Sequence, residues 1–286
     1  MIPRTSRITY DAQGRFPIII ENALGHRETR EYDPRFGGGT EVVTPNGQIT
    51  RAFYDGFGRK RREVRPDGVT SRVLIALPDG NAPPLARTRV VTKTTGSAPG
   101  TAYMDELGRT IRTVSAGFDG RPVFRDVVYN LRGFQDRTSR PYFPGDAIYW
   151  FVNAYDDLGR AIQVTNPDSS LVRTEYHGLT TIVFNELNQR RTTVKNSQGW
   201  LLQGTDDAGN VVTHTYDSFG NLLTSTDPAG NVIASTYDLR GRKLTMADPD
   251  AGLSELRYNA FSEVVWRRDA KNQQFTSEYD VLGRMT

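Results

Sequence analysis

The chain of 286 residues has no cysteine, so disulfide staples and cysteine metal sites are excluded while the redox compartment stays open. Histidine is nearly as scarce. His26, His177 and His214 lie far apart in sequence, in no metal-ligand spacing, and read as turn or surface residues. No stretch approaches about 18 consecutive apolar residues and none keeps an i, i+3, i+4 pattern, so neither a membrane span nor long helices are expected. The opening MIPRTSRITYDAQ lacks the apolar core of a signal peptide, which does not exclude export. Formal net charge is only +3, and a sequence pI of about 9.1 gives weak attraction to anionic surfaces with no focused nucleic-acid footprint. GxSxG, HExxH and P-loop motifs are absent. No catalytic, cofactor-binding or metal-binding residue is assigned, and a non-enzymatic protein is expected.

What the chain has is a period. Tyr216, Tyr237, Tyr258 and Tyr279 stand 21 residues apart and open the phrases YDSFGN, YDLRGR, YNAFSE and YDVLGR. A second comb, Asp206, Asp227, Asp248 and Asp269, interleaves with the first at the same step. One repeat is therefore strand, turn, strand, turn, the signature of a stacked β-architecture. One glycine column runs Gly199, Gly220, Gly241, Ser262, Gly283, and the other Gly209, Gly230, Ala251, Asn272. Glycine and asparagine tolerate the left-handed conformation of tight turns, and aspartate accepts local backbone hydrogen bonds at the turn start. Gly252 beside Ala251 suggests a one-residue slip. Four residues before each tyrosine stand Val212, Ile233, Ser254 and Phe275, and seven after the tyrosine register stand Leu202, Leu223, Leu244 and Val265. The second of these columns is wholly apolar and is expected to be buried, each member contributing roughly 1.5 to 3 kcal/mol. Thr, Lys, Arg and Glu in between imply one wet face or a polar lumen.

The first half repeats more loosely. Tyr10, Tyr32 and Tyr54 step by 22, and Tyr103, Tyr129 and Tyr155 by 26, with Phe184-Asn185-Glu186-Leu187-Asn188 as a further decayed copy. Leu77 to Gly100, rich in Pro and Gly, reads as a long loop plus a hairpin tip. The repeats cross every candidate boundary, so residues 1–286 are taken as a single repeat region, looser over 1–195 and regular over 196–286. It begins and ends mid-repeat, as a fragment of a longer protein would. Other readings are weaker. Gly37-Gly38-Gly39 imitates a phosphate cradle but falls on a repeat turn, and Arg59-Lys60-Arg61-Arg62 follows YDGFGR as a solvated strand would. Asp248, Asp250 and Asp206-Asp207 lack the glycine and distal glutamate of a calcium loop. Trp150, Trp200 and Trp266 leave a sugar-stacking role open.

The recurring YDxxGR and DPxGN phrases resemble the YD-repeat, or Rhs, family: bacterial Rhs toxins, the B and C components of insecticidal toxin complexes, and the animal teneurins. Ser139 to Trp150, SRPYFPGDAIYW, looks like a phrase from the toxin-complex branch. The resemblance implies an all-β fold of repeated antiparallel hairpins, forming a curved β-spiral sheet that walls a hollow shell. It implies a structural segment enclosing a C-terminal toxin polypeptide in a secreted or exported bacterial component. Its partners would be the remaining repeats and core of the shell, the enclosed toxin, and other toxin-complex or secretion-system components, with no nucleic acid. A cell-surface module binding glycan or protein is the alternative. The family's autoproteolytic aspartates are not carried over, because Asp227-Pro228-Ala229-Gly230 sits in register as an ordinary turn. The structural positions are Tyr10, Tyr32, Tyr54, Tyr103, Tyr129, Tyr155, Tyr216, Tyr237, Tyr258 and Tyr279, with Gly220, Gly230, Gly241, Gly283, Leu223, Leu244 and Val265.

Width gives the implication physical content. On the order of 25 strands at about 4.8 Å each make a sheet roughly 120 Å wide. A twisted sheet rarely stays open that far. Closed once, it would have a diameter near 38 Å, well beyond the ~10 Å at which sheets pack face to face, unless it folds over into a sandwich.

Overall fold

The computed structural model describes residues 4–286, leaving Met1–Pro3 of the N-terminal stretch outside. It is all-β, with 25 strands and no helix among the described residues. Contacts group the chain into two units, Met1–Val152 and Asn153–Thr286. The division falls between residues 152 and 153 and not at 195/196, where the sequence period tightens.

The first unit contains β1 (Arg7–Tyr10), β2 (Pro17–Glu21), β3 (Arg27–Tyr32), β4 (Gly39–Val43), β5 (Ile49–Tyr54) and β6 (Lys60–Val64). It continues through β7 (Thr70–Ala76), β8 (Thr88–Thr94), β9 (Gly100–Met104), β10 (Thr110–Ala116), β11 (Pro122–Tyr129), β12 (Gln135–Ser139) and the start of β13 (Trp150–Tyr155). The second holds the rest of β13, then β14 (Ala161–Thr165), β15 (Leu171–His177), β16 (Thr180–Phe184), β17 (Arg190–Lys195), β18 (Leu201–Thr205) and β19 (Val211–Tyr216). There follow β20 (Leu222–Thr226), β21 (Val232–Tyr237), β22 (Lys243–Asp248), β23 (Gly252–Tyr258), β24 (Val264–Arg268) and β25 (Gln274–Thr276).

Within each unit neighbouring strands pair antiparallel, β1 through β13 and then β14 through β25, and no described strand touches a more distant one. Sheet does not pack on sheet inside either unit. The accessible surface of 18815 Å² is about one and a half times the ~12,000 Å² of a compact protein of this mass. A single layer explains it, because outside the patch covered by the β7–β8 loop neither face has anything to bury against.

The turn chemistry repeats from hairpin to hairpin. In Asp217-Ser218-Phe219-Gly220, the Gly220 N–H donates to Asp217 O at 3.2 Å, and the Asp217 carboxylate accepts from the N–H groups of Phe219 and Asn221, both at 2.9 Å. Gly220 has φ +88°, with Gly230, Gly241 and Gly283 at +86°, +74° and +81°. Ser262 and Asn272, which stand in the glycine columns, adopt +66° and +61°. The slip beside Ala251 is visible as well: Gly252 takes φ +78° and pairs with Asp248.

The column seven residues after the tyrosine register departs from expectation. Tyr216 pairs with Leu222 and Thr215 with Thr224, so Leu223 is the extra residue of a β-bulge. Leu202, Leu244 and Val265 are skipped in the same way. Leu223, Leu244 and Val265 are only half-buried, and Leu202 is exposed. A one-layer sheet offers no second surface to complete their burial. Alternation places Thr213, Thr215, Thr224, Thr226, Thr236 and Thr245 on one face, with hydroxyl contacts of 2.6 Å for Thr215–Thr224 and 2.7 Å for Thr236–Thr245. Val212, Ile233, Met246 and Leu256 occupy the other face with the tyrosines.

Candidate functional site

The tyrosine column is a set of cross-ties. Tyr237 ends β21, and its hydroxyl donates to Leu222 O at 3.0 Å, the carbonyl of the residue paired with Tyr216 in the preceding repeat. Tyr258 reaches Lys243 O and Tyr279 reaches Val264 O, both at 2.9 Å, by the same rule. In the first unit Tyr32 donates to Pro17 O, Tyr54 to Gly39 O and Tyr129 to Thr110 O. Each hydroxyl therefore bonds the adjoining strand just before its own, at the residue where the chain re-enters the sheet after the previous tyrosine's turn, and so pins one repeat to the last. Equivalent tyrosines sit on alternate strands, since a repeat contains two. Tyr10 ends β1 half exposed, Tyr155 ends β13, and Tyr216 packs on the Trp200 indole with ring centroids 5.4 Å apart.

Two members of the series stand elsewhere. Met104 precedes the turn aspartate Asp105 and pairs with Thr110, so Met104 holds the column position and alternation turns Tyr103 to the opposite face. The phrase beginning Phe184-Asn185 turns at the other end of the strands, in step with Asp206. Tyr176 is the true member there, donating to Ala161 O at 3.1 Å, and the tight turn after His177 hid it from the period.

Arginine closes the phrase for a local reason. Arg242 Nε donates to Asp238 Oδ2 at 2.7 Å, and Arg59, Arg109, Arg160 and Arg284 clamp Asp55, Asp105, Asp156 and Asp280 across their turns. Where asparagine replaces arginine, its amide does the same, as in Asn221 to Asp217 at 2.7 Å and Asn231 to Asp227 at 2.8 Å. Hydrogen bonds from the Asn221, Asn231 and Arg242 side chains hold the Asp217, Asp227 and Asp238 carboxyls below their ordinary range. The hydrogen bond from Arg35 takes Asp33 to about 2.

Among the described residues, only one place has an interior. Tyr103 and Ser139 are each 1% exposed, and Ala86, Ile111, Phe124 and Tyr142 are buried around them. The long loop between β7 and β8 folds back over this spot: Asp79 meets the Tyr103 hydroxyl and Arg89, and Arg112 Nη1 donates to Asn81 O at 2.9 Å. Arg112 grips Asp126 with two bonds of 2.6 and 2.7 Å, while the Tyr142 hydroxyl donates to the same carboxylate at 2.7 Å. The Ser139 hydroxyl accepts the Asp126 N–H at 2.8 Å. Burial pushes the Tyr142 phenol up to about 12, aided by its bond to Asp126, so it stays a neutral donor. With both Asp126 oxygens occupied, the cluster is a clamp joining β10, β11 and the segment after β12. An apolar cleft of about 290 Å³ beside it lies between Pro83, Pro84 and Leu85 and the end of β11.

The remaining candidates scatter. His26 and His177 are exposed beside Asn22 and Glu175, His214 lies in β19, and no three His, Asp or Glu side chains among the described residues form a metal-holding group. Lys60 pairs with Glu63, and Arg62 stacks on Phe53. Gly37-Gly38-Gly39 forms a turn whose middle residue lies against the Tyr54 ring, 2.7 Å from where a Cβ would stand.

The sequence profile of the RHS Repeat family matches residues 196–232 and 216–253. No curated protein matches. Among solved structures, TcdB2-TccC3 superposes with a TM-score of 0.81 at 18% identity, over 98% of this chain and 19% of that one. TcdB2-TccC3-Cdc42 gives 0.82 at 16% identity, and the Photorhabdus luminescens Tc holotoxin pore 0.81 at 15%, each over 98% of this chain and 21% of the other. The chain thus spans about one fifth of the solved chains it matches.

Proposed function

Because the chain belongs to the YD-repeat, or Rhs, family, we propose that it is a non-enzymatic wall segment of a β-shell that encloses a polypeptide toxin, in a secreted or exported bacterial component. The observation that carries this reading is the one-layer sheet of each unit, in which neighbouring repeats are tied by tyrosine hydroxyls and, apart from the patch under the β7–β8 loop, neither face is packed against another layer. Such a wall holds its shape through turns, bulges and cross-ties, and it needs no interior of its own. A threonine-rich face offers a captured chain hydrogen bonds but no continuous apolar surface on which to complete a core. Further repeats of the same shell and the enclosed polypeptide are the expected partners.

Cryo-electron microscopy of the complete polypeptide carrying this segment should place residues 4–286 in a curved wall with density inside. Two sheets packed about 10 Å apart throughout would remove the basis for containment. The isolated chain should show no hydrolase, transferase or nuclease turnover. A recognition module is the second reading, favoured by the exposed turn residues Phe57 and Phe219. Binding of a glycan or protein ligand at those turns, with no enclosed density in the complete protein, would select it.

A further inference from the structure

Many cationic side chains of the first unit lie against a carboxylate, as Arg27 does on Glu21, Arg51 on Glu41, Arg89 on Asp79 and Arg112 on Asp126. Three that do not are neighbours. Arg62 of β6 pairs with Arg72 of β7, and Arg72 with Lys93 of β8, so three positive side chains stand directly opposite one another on one face. All three are exposed. The row steps by about 4.8 Å from strand to strand and spans roughly 10 Å. No described carboxylate closes it: Glu63 lies on the other face with Lys60 and Arg65, and Glu41 is taken by Arg51 at 2.6 Å. Like charges directly opposite destabilise an antiparallel pair. The ladder does not require them, since the next row on the same strands, Val64 with Thr70, is uncharged. Apolar side chains border the row. Phe53 stands at its end with the Arg62 guanidinium 4.9 Å over its ring, and Leu74 and Val91 pair alongside, Leu74 being 48% exposed.

We propose that this row is a docking surface for an acidic, partly apolar segment of polypeptide. Carboxylates of the segment bond the three cations and cancel the repulsion among them. Aliphatic side chains of the same segment cover Leu74 and Val91, which otherwise stand in water. The segment crosses the strands, because each strand gives the row a single cation. A sulfated glycan would meet the charges, but it has no aliphatic side chain for Leu74 and Val91, so polypeptide is the occupant the surface fits. The surface and its partner's chemistry stand on charge and register, and hold whether or not the complete protein encloses a toxin.

Fluorescence anisotropy on the full chain tests it, with a fluorescein-labelled peptide of repeated Glu-Glu-Leu as the probe. Binding should weaken at least tenfold when Arg62, Arg72 and Lys93 are replaced together by glutamine, and it should weaken as salt is raised. Replacing Arg190, Arg191 and Lys195 of β17 by glutamine removes the same net charge from side chains that do not form one row, and should change affinity less than twofold. A probe with glutamine for glutamate should not bind, and one with serine for leucine should bind several-fold more weakly. Circular dichroism checks that both variants are folded. Without peptide, the row variant should unfold at a urea concentration no lower than wild type, because it relieves repulsion. A lower midpoint would mean that the row serves the fold, and it overturns the proposal. So does equal weakening by the two variants, a probe that fails to bind at millimolar concentration, or tighter binding of a short heparin oligosaccharide than of the peptide.

Discussion

Alanine at Gly220 and alanine at Gly230 place the same methyl group on nearly the same backbone, φ +88° and +86°, in surroundings that differ in one respect. At Gly230 nothing lies within 4 Å of the new Cβ, so only the left-handed conformation is penalised, by about 1 to 2 kcal/mol. At Gly220 the Cβ would stand 2.7 Å from Trp200 Cζ2 and 3.0 Å from Cε2, well inside the ~3.5 to 4 Å optimum for carbon pairs. Trp200 is held against Tyr216, so relief means moving the indole, an overpacking cost of about 1 to 3 kcal/mol. Gly220→Ala should therefore lose about 2 to 5 kcal/mol and exceed Gly230→Ala by the overpacking share. Urea unfolding followed by far-ultraviolet circular dichroism reads the difference as roughly 0.3 to 1 M in midpoint, for a slope near 3 kcal/mol/M. Trp200→Leu in the Gly220→Ala background should recover the excess and leave the conformational part. Equal losses at the two glycines would refute the Trp200 contact, and unchanged midpoints at both would refute the argument from positive φ.

Acid should loosen the turns. Asp33, Asp217, Asp227 and Asp238 have depressed folded-state pKa values, so their contribution is complete above the unfolded value near 3.9 and is lost as pH falls through the folded values, about 2 for Asp33. Circular dichroism should stay flat from pH 7 to about 4 and melting should drop below that; equal melting temperatures at pH 7 and pH 2 would contradict it. Tyr237→Phe removes the cross-tie to Leu222 O and should lose about 1 kcal/mol, and a change within error in urea would sink the tie. Asp126→Ala leaves Arg112 buried without its partner and should lose about 3 to 5 kcal/mol. Hydrogen exchange should speed up in β9 to β12 with β20 to β24 unaffected, and uniform exchange would deny the clamp a local role.

The turns could be read from the sequence because each one is made within about five residues. Asp217, Gly220 and Asn221 need only one another, and Gly252 marks its own slip. The cross-ties were legible as a period but not as a bond. Leu223 and Leu244 looked like core because an apolar column is ambiguous between a buried row and a bulge, and only the pairing of Tyr216 with Leu222 and Thr215 with Thr224 decides. Tyr103 misled for a related reason: one extra residue before Asp105 exchanges the two faces, and the letters YMD do not show which face the loop will cover. The grip of Arg112 on Asp126, with Tyr142 beside it, lies outside the repeat altogether, since it depends on a loop closing over three strands.

Because each strand from β15 to β25 pairs with the one just made, and the tyrosine ties in the regular repeats reach back only fifteen residues, this run of the second unit need not wait for a distant part of the polypeptide. Such a sheet can be laid down hairpin by hairpin as the chain emerges during synthesis, and it can be undone from a free edge in the same small steps. Pulled from its C-terminus in an optical trap, it should extend in a staircase of increments near one repeat in length, as a zipper does, instead of releasing at one force.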